Sequence, residues 1–541
     1  MVGDGGPGQV HFGVLGRADA DRGALEGKVR DGRVTLFDHD AHRSTERPGP
    51  PHPKSPERAC TAHGSISLAT IGCHRDLVER LPPADGSARV REASICFTSA
   101  SGGLYCAAMR RAATKERRGH GSGSRWQVAS MLVVLSIAGS SCKQEETEWK
   151  VAADFASVFK IEVYADGLTN PTFLKFLPDG RLLVSELNDG IAVIPAGGGH
   201  PQRWAAATGP EADPLNPDDF PVSRPGNGSF QSGLMGLAVD PDFGSNAFVY
   251  AAHNYDRTPP CKACGAVNPY TKWGRLTRFT EVDGVGTMPT VLLDRAPAAD
   301  AHQVQDVALL PDGTLLLAVG DAWARDDAPD LDRLNGKVLR INRDGTAPED
   351  NPFFDPRSPD APRSYVYSTG HRNPVGFAVT PEGSVLVVEN GPIADDELNL
   401  VTPGGYSGWP STWIAAGDPG ELYSWTPIVS PTAVVMYVSD PGRPADFGSA
   451  FDRVLFVVTF GSETGLQSSG DNKKLLLMNT RGTGEALSVD GPPRHFLAGP
   501  PIAGEQPLGV VVGPDGALYV TVINFAGGPG TGRVHRISPA D

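Results

Sequence analysis

The densest chemistry in the chain lies between Gly370 and Val401. A guanidinium stands beside an imidazole at His371-Arg372, followed by an Asn373-Pro374 turn. Further on, Asn390-Gly391-Pro392 interrupts regular backbone just before Asp395, Asp396 and Glu397. An arginine can stabilise negative charge that develops on a reacting oxygen. A loop that places a guanidinium, bare carbonyls and carboxylates at the ends of rigid strands is suited to a site. Two other loops carry polar groups before apolar runs: Asp300-Ala-His302-Gln303-Val-Gln-Asp-Val and Gly228-Ser-Phe-Gln231-Ser-Gly-Leu-Met-Gly-Leu-Ala. A lone His in a turn, as His302 is, is more often a hydrogen-bonding loop residue than a base. His371 reads as a hydrogen-bonding loop residue, and Asp395 and Glu397 as strand caps or solvent-facing groups. The pairs Asp326-Asp327 and Asp330-Asp332 lack calcium-loop spacing and read as solvated turn residues.

These loops need a rigid frame, and the sequence repeats one. Pro-Asp-Gly followed by alternating apolar residues occurs at Leu177–Val184, Leu310–Leu317 and Gly513–Val520. Weaker copies run through Val239–Tyr250, Thr380–Val387 and Phe451–Val457, spaced about 60–70 residues apart, a period of the kind that marks propeller blades. Proline pre-sets the first turn position, Asp bonds its own backbone and Gly accepts positive φ, so each copy is a hairpin. A later segment, Gly-x-apolar-x-Arg-apolar at Gly274–Phe279, Gly336–Ile341 and Gly532–Ile537, is expected to be an outer strand with one wet face. Six modules of about four strands predict an all-β, six-bladed β-propeller. Phe159–Tyr164, which has no hairpin partner of its own, is expected to complete the last blade and close the ring.

Composition agrees with many short strands: 65 glycines and 48 prolines occur in 541 residues. Residues 1–141 carry 19 Lys and Arg against 14 Asp and Glu, so the remainder holds about −20 of a total charge of −15. That charge argues against nucleic-acid binding. Basic residues from Arg110 to Arg125 precede the apolar run Val128–Ala138 and the small residues before Cys142. The run is too short to span a bilayer but fits a signal-peptide core. The expected organisation is therefore spurious upstream translation or a disordered extension over 1–108 and a lipoprotein-like signal peptide over 109–141. A linker over 142–158 and the propeller over 159–541 follow. Export to the periplasm or cell envelope is expected, with membrane attachment only through a lipid on Cys142. Cys261-Lys-Ala-Cys264 could be redox-active, metal-binding or a loop-stapling disulfide, the last being the plainest reading in an exported protein.

The loops and modules together resemble the soluble PQQ-dependent sugar dehydrogenases, the glucose/sorbosone and aldose sugar dehydrogenase family. Four stretches carry the likeness: Gln231–Phe243, Leu334–Asn342, Gly370–Pro374 and Asn390–Asn399. The resemblance implies an oxidoreductase that passes hydride from an aldose, or a related alcohol or aldehyde, to the quinone PQQ, and then electrons to an acceptor. By that resemblance His302 is the base that takes the hydroxyl proton, and Arg372 stabilises charge on the quinone oxygens. Gln231, Asn373 and Asp396 are implied to bind the cofactor, and the carbonyls of Gly391 and Pro392 to hold Ca²⁺. The chain departs from the family pattern in modules five and six. Leu455–Gly461 has no lysine, and Gln506-Pro-Leu-Gly-Val510 stands where the family carries two arginines that meet PQQ carboxylates. Lys473 and Arg494 are the cations that could substitute. Each lost charge-assisted hydrogen bond costs about 1.5–3 kcal/mol. A propeller that has lost PQQ and serves as a carbohydrate-binding or interaction protein is therefore the second reading, and a metal-dependent lactonase a distant third.

Overall fold

A computed structural model describes residues 149–208, 220–222, 232–256, 272–299, 301–412, 420–461, 473–499, 505–525 and 527–540, together with the backbone of five short N-terminal strands. The chain divides into two compact units, Met1–Lys143 and Gln144–Asp541. In the first, His11–Gly13, Glu26–Arg30 and Arg33–Phe37 form an antiparallel sheet, and Glu92–Thr98 pairs with Leu104–Arg110. The proposed signal segment beyond Arg110, Cys142 and the Cys261/Cys264 pair lie outside the described residues.

The second unit is a six-bladed β-propeller of antiparallel sheets. Its inner strands, in chain order, are Pro171–Phe176, Leu234–Val239, Val304–Leu309, Pro374–Val379, Pro431–Tyr437 and Glu505–Val512. Each packs beside the next, and the last returns to the first. Phe159–Leu168 pairs antiparallel with Gly532–Pro539 and forms the outermost strand of blade six, which closes the ring as the sequence predicts. The expected linker is partly built in. Lys150–Val151 adds a fifth strand to blade five, and Trp149 and Phe155 are buried. Phe155 and Phe159 pack with Phe447, Phe451 and Phe496 in one aromatic cluster where the two chain ends meet.

Neighbouring blades are joined by two devices that alternate around the ring. From odd to even blades, a buried polar side chain bonds the next inner strand. Thr172 Oγ1 donates to the Leu234 carbonyl at 3.0 Å, the Phe377 N–H donates to Asp306 Oδ2 at 3.0 Å, and Thr432 Oγ1 donates to the Leu508 carbonyl at 2.7 Å. From even to odd blades the backbones approach so closely that only glycine fits. A Cβ on Gly376 would lie 2.5 Å from the Thr432 carbonyl oxygen, and one on Gly236 would lie 2.6 Å from Asp306 Cα. The inner-strand glycines are thus fixed by close approach between blades. Below the polar ring, the six strands line a channel cavity of about 270 Å³ that holds Lys175 and Asp306. Burial raises the Asp306 carboxyl to about 6.

In blades three and six the Pro-Asp-Gly turn and the later Arg-bearing segment prove to be partners. Arg340 Nη2 lies 2.7 Å from Asp312 Oδ2, and Arg536 Nη2 lies 2.8 Å from Asp515 Oδ2. Each arginine reaches from the third strand of its blade to the turn Asp of the first hairpin. The expectation of an outer strand with a wet face is corrected here. Lys272–Val282, Lys337–Ile341 and Gly532–Pro539 are third of four, and Lys337–Ile341 is buried throughout because a fourth strand covers it.

Candidate active site

The loops that enter the inner strands of blades three and four meet at one end of the channel. His302 stands at the entry to Val304–Leu309, and Asp321 follows the second strand of the same blade, Leu315–Val319. The imidazole is 4% exposed, and its Nδ1 lies 2.6 Å from Asp321 Oδ1. Gly320 makes this possible, since a Cβ there would sit 2.5 Å from the His302 carbonyl carbon. Asp321 is a hub. Its Oδ1 also accepts the Trp323 N–H at 3.0 Å, and its Oδ2 accepts Trp409 Nε1 at 3.0 Å. Trp323 stacks on the imidazole with ring centroids 4.1 Å apart. Burial lowers the His302 pKa from its usual value; Asp321 works against that shift and the charge of Arg372 adds to it. The shift favours the neutral imidazole. With Nδ1–H directed at the carboxylate, the lone pair is left on Nε2. His302, Ala322 and Trp323 all have positive φ, at 56°, 53° and 64°. Left-handed backbone costs about 1–2 kcal/mol per non-glycine residue, and such strain clusters at functional sites.

Arg372 is held just before Pro374–Val379 by Glu389, at the end of the next strand. Glu389 Oε1 accepts the Arg372 N–H, and Oε2 lies 2.8 Å from His371 Nδ1. His371 Nε2 lies 2.7 Å from Ser368 Oγ, so this imidazole is a buried hydrogen-bonding residue, as the sequence suggests. The Arg372 guanidinium donates through Nη1 to the carbonyls of Asn390 and Gly391, at 2.7 and 2.8 Å. Its carbon lies 5.9 and 5.5 Å from the ring centroids of Trp323 and Trp409. The guanidinium thus sits on one of the carbonyls expected to serve Ca²⁺. Gly391, Pro392, Glu389 and Glu397 surround it in a recess of about 20 Å³.

Asp396, expected to bind the cofactor, lies beside Gly391 and is engaged by backbone N–H groups. Its Oδ1 accepts the Gly391 N–H at 2.8 Å, and its Oδ2 accepts the N–H groups of Val429 and Ser430 at 2.7 and 2.6 Å. Both oxygens serve backbone, fixing the Gly391 kink to the entry loop of blade five. Burial outweighs these bonds and raises its carboxyl to about 6. Asp395 and Glu397, expected as caps or solvent-facing groups, are buried, and Glu397 Oε2 accepts Asn399 Nδ2 at 2.7 Å. Asn373 is buried, with Oδ1 accepting Gln305 Nε2 at 3.4 Å. Gln231 lies outside the described residues. Arg494 lies over the Phe155 ring at 4.7 Å and belongs to the closure seam, which removes it as a stand-in for the family's basic residues. Gln506 is fully buried at the start of its inner strand, and neither its Oε1 nor its Nε2 has a partner among the described residues.

Sequence reasoning missed Asp321, Glu389, Trp323 and Trp409. The usable signal was positional. Asp321 and Glu389 each end the second strand of a blade, next to a loop already marked by His302 or Arg372.

The chain matches the family model "Glucose / Sorbosone dehydrogenase" over residues 168–441. It is 27% identical over 387 residues to aldose sugar dehydrogenase YliI of Escherichia coli, covering 68% of this chain and 91% of that protein. It is 33% identical over 215 residues to quinoprotein glucose dehydrogenase B of Acinetobacter calcoaceticus, covering 36% of this chain and 43% of the relative's length. Among solved structures, an oxidoreductase (glucose dehydrogenase) of Thermus thermophilus superposes with TM-score 0.54 at 30% identity, over 70% of this chain and 99% of that one. With an imidazole–carboxylate pair and a buried arginine on adjoining blades of such a propeller, the chain belongs to the glucose/sorbosone dehydrogenase family.

Proposed function

We propose that the protein is an exported quinoprotein dehydrogenase that oxidises an aldose sugar, or a related alcohol or aldehyde. The observation that carries this reading is the buried His302–Asp321 pair beside Arg372. When bound, PQQ with Ca²⁺ would supply the hydride acceptor for the sugar C–H. The Arg372 guanidinium and the Asn373 amide suit a planar anionic quinone, and the Gly391 and Pro392 carbonyls suit its Ca²⁺; Gln231, the remaining expected contact, lies outside the described residues. The amide of Gln506, which has no partner among the described residues, agrees with a polar ligand, because a buried unsatisfied polar group is costly. His302 Nε2 takes the proton of the sugar hydroxyl while Asp321 holds the ring and stabilises its positive charge. Arg372 opposes the negative charge that appears on the acceptor side.

Two observations favour a second reading, a propeller that binds carbohydrate without PQQ. Arg372 already satisfies the Gly391 carbonyl, and blade six offers Gln506 where the family carries arginines. Purified protein mixed with PQQ and Ca²⁺ and supplied with aldoses and a redox dye separates the two. Dye reduction is expected, and its absence together with an unchanged quinone spectrum overturns the enzyme reading. Export rests on the basic and apolar pattern from Arg110 to Cys142. Cell fractionation of wild type and Cys142→Ala tests it: release of the variant from the membrane fraction is expected.

A further inference from the structure

We infer that Trp323 is the stacking platform for the sugar ring, taking the apolar C–H face of an aldopyranose and so deciding which sugars present a hydroxyl to His302. The inference deepens the sugar-oxidising reading and rests on it.

Trp323 is 57% exposed although one face of its indole stacks on the buried imidazole. Core packing therefore does not account for its place. The backbone is strained to hold it there, with two consecutive non-glycine residues, Ala322 and Trp323, in the left-handed region. Two hydrogen bonds fix the turn: Trp323 N–H to Asp321 Oδ1 at 3.0 Å, and Ala322 N–H to the His302 carbonyl at 3.0 Å. One carboxylate thus orients both the base and the indole, so a ligand lying on the ring is held in register with His302. Arg372 lies 5.9 Å from the indole centroid, which places the platform beside the expected electron-accepting side of the site. Ile393, adjoining Pro392 in the chain, is another exposed apolar residue in the loops of this site, at 56%. Binding sites for small ligands combine such apolar surface with a few convergent polar groups. A pyranose with equatorial hydroxyls has the matching form, with C–H bonds on its faces and hydroxyls at its edge.

The test uses methyl β-D-glucopyranoside, whose blocked anomeric hydroxyl allows binding without turnover, followed by ligand-observed saturation-transfer NMR on the full chain without added cofactor. Trp323→Phe is expected to bind within about threefold of wild type, and Trp323→Ala at least about tenfold more weakly, the equivalent of about 1.4 kcal/mol. In PQQ-loaded protein, Trp323→Ala should raise KM for glucose by a similar factor and leave the acid limb of the kcat profile in place. Unchanged glucoside binding in Trp323→Ala overturns the inference, as does a wild type that does not bind the glucoside. A shifted acid limb with KM unchanged also overturns it, because it assigns the indole to supporting His302 only. Trp323-dependent binding without dye reduction leaves the platform standing and defeats the dehydrogenase reading instead.

Discussion

At the residue scale, the site is governed by what Asp321 accepts. It holds His302 by one oxygen and Trp409 by the other, so its loss affects orientation and charge together. His302→Ala should abolish dye-linked turnover, and Asp321→Asn should lower kcat by about 10²–10⁴-fold, the range seen when a base loses its orienting carboxylate. Because Asp321 raises the His302 pKa against the effect of burial, the Asp321→Asn profile should also move its acid limb to lower pH. Steady-state kinetics across pH reads both effects. His253 gives a stability prediction of the same kind. It lies between the Pro221 carbonyl and Thr277 Oγ1, and burial holds it down to about 3. The unfolded chain binds this proton below about pH 6.5 and the folded chain does not. Its contribution is thus fully present above that pH and is lost as pH falls towards 3, by at most about 1.4 kcal/mol per unit. Urea titrations at pH 7 and 5 should show this loss in wild type and a smaller loss in His253→Gln.

At the element scale, repeated motifs mark repeated contacts. The Pro-Asp-Gly turns are legible in sequence because turn chemistry is local. Their arginine partners are legible as a second motif, but the pairing is not, because Asp312 and Arg340 meet only when the third strand folds back. Arg536→Met should cost about 1.5–3 kcal/mol, the worth of a hydrogen bond to a charged group, measured by chemical denaturation. The inner-strand glycines carry a similar lesson. Gly376→Ala places a methyl 2.5 Å from the Thr432 carbonyl oxygen, and backbone cannot move aside as a flexible side chain would. A loss of about 1–3 kcal/mol is expected, in the range of overpacked cores, with a lower thermal midpoint as the readout.

At the scale of the whole molecule, the ring is closed by a strand from near the start of the second unit, locked in by the phenylalanine cluster around Phe159. A chain beginning at Gln144 should melt cooperatively, because the second compact unit runs from Gln144 to Asp541. One beginning at Pro171 lacks the outer strand of blade six and exposes an unpaired edge, so it should aggregate or lose its transition in circular dichroism and size-exclusion chromatography.

The sequence by itself determined the repeated hairpin, the number of modules, the closing strand and the loops that bear His302 and Arg372. Each of these is written in local turn chemistry or in apolar alternation. Only the tertiary structure decided which carboxylate holds the His302 imidazole, that Asp396 braces backbone, that Arg494 belongs to the closure seam and that Trp323 lies over the imidazole. Those facts depend on which loops the ring brings to one end of its channel. Contacts between residues far apart in the chain leave no periodic trace in the sequence of either partner.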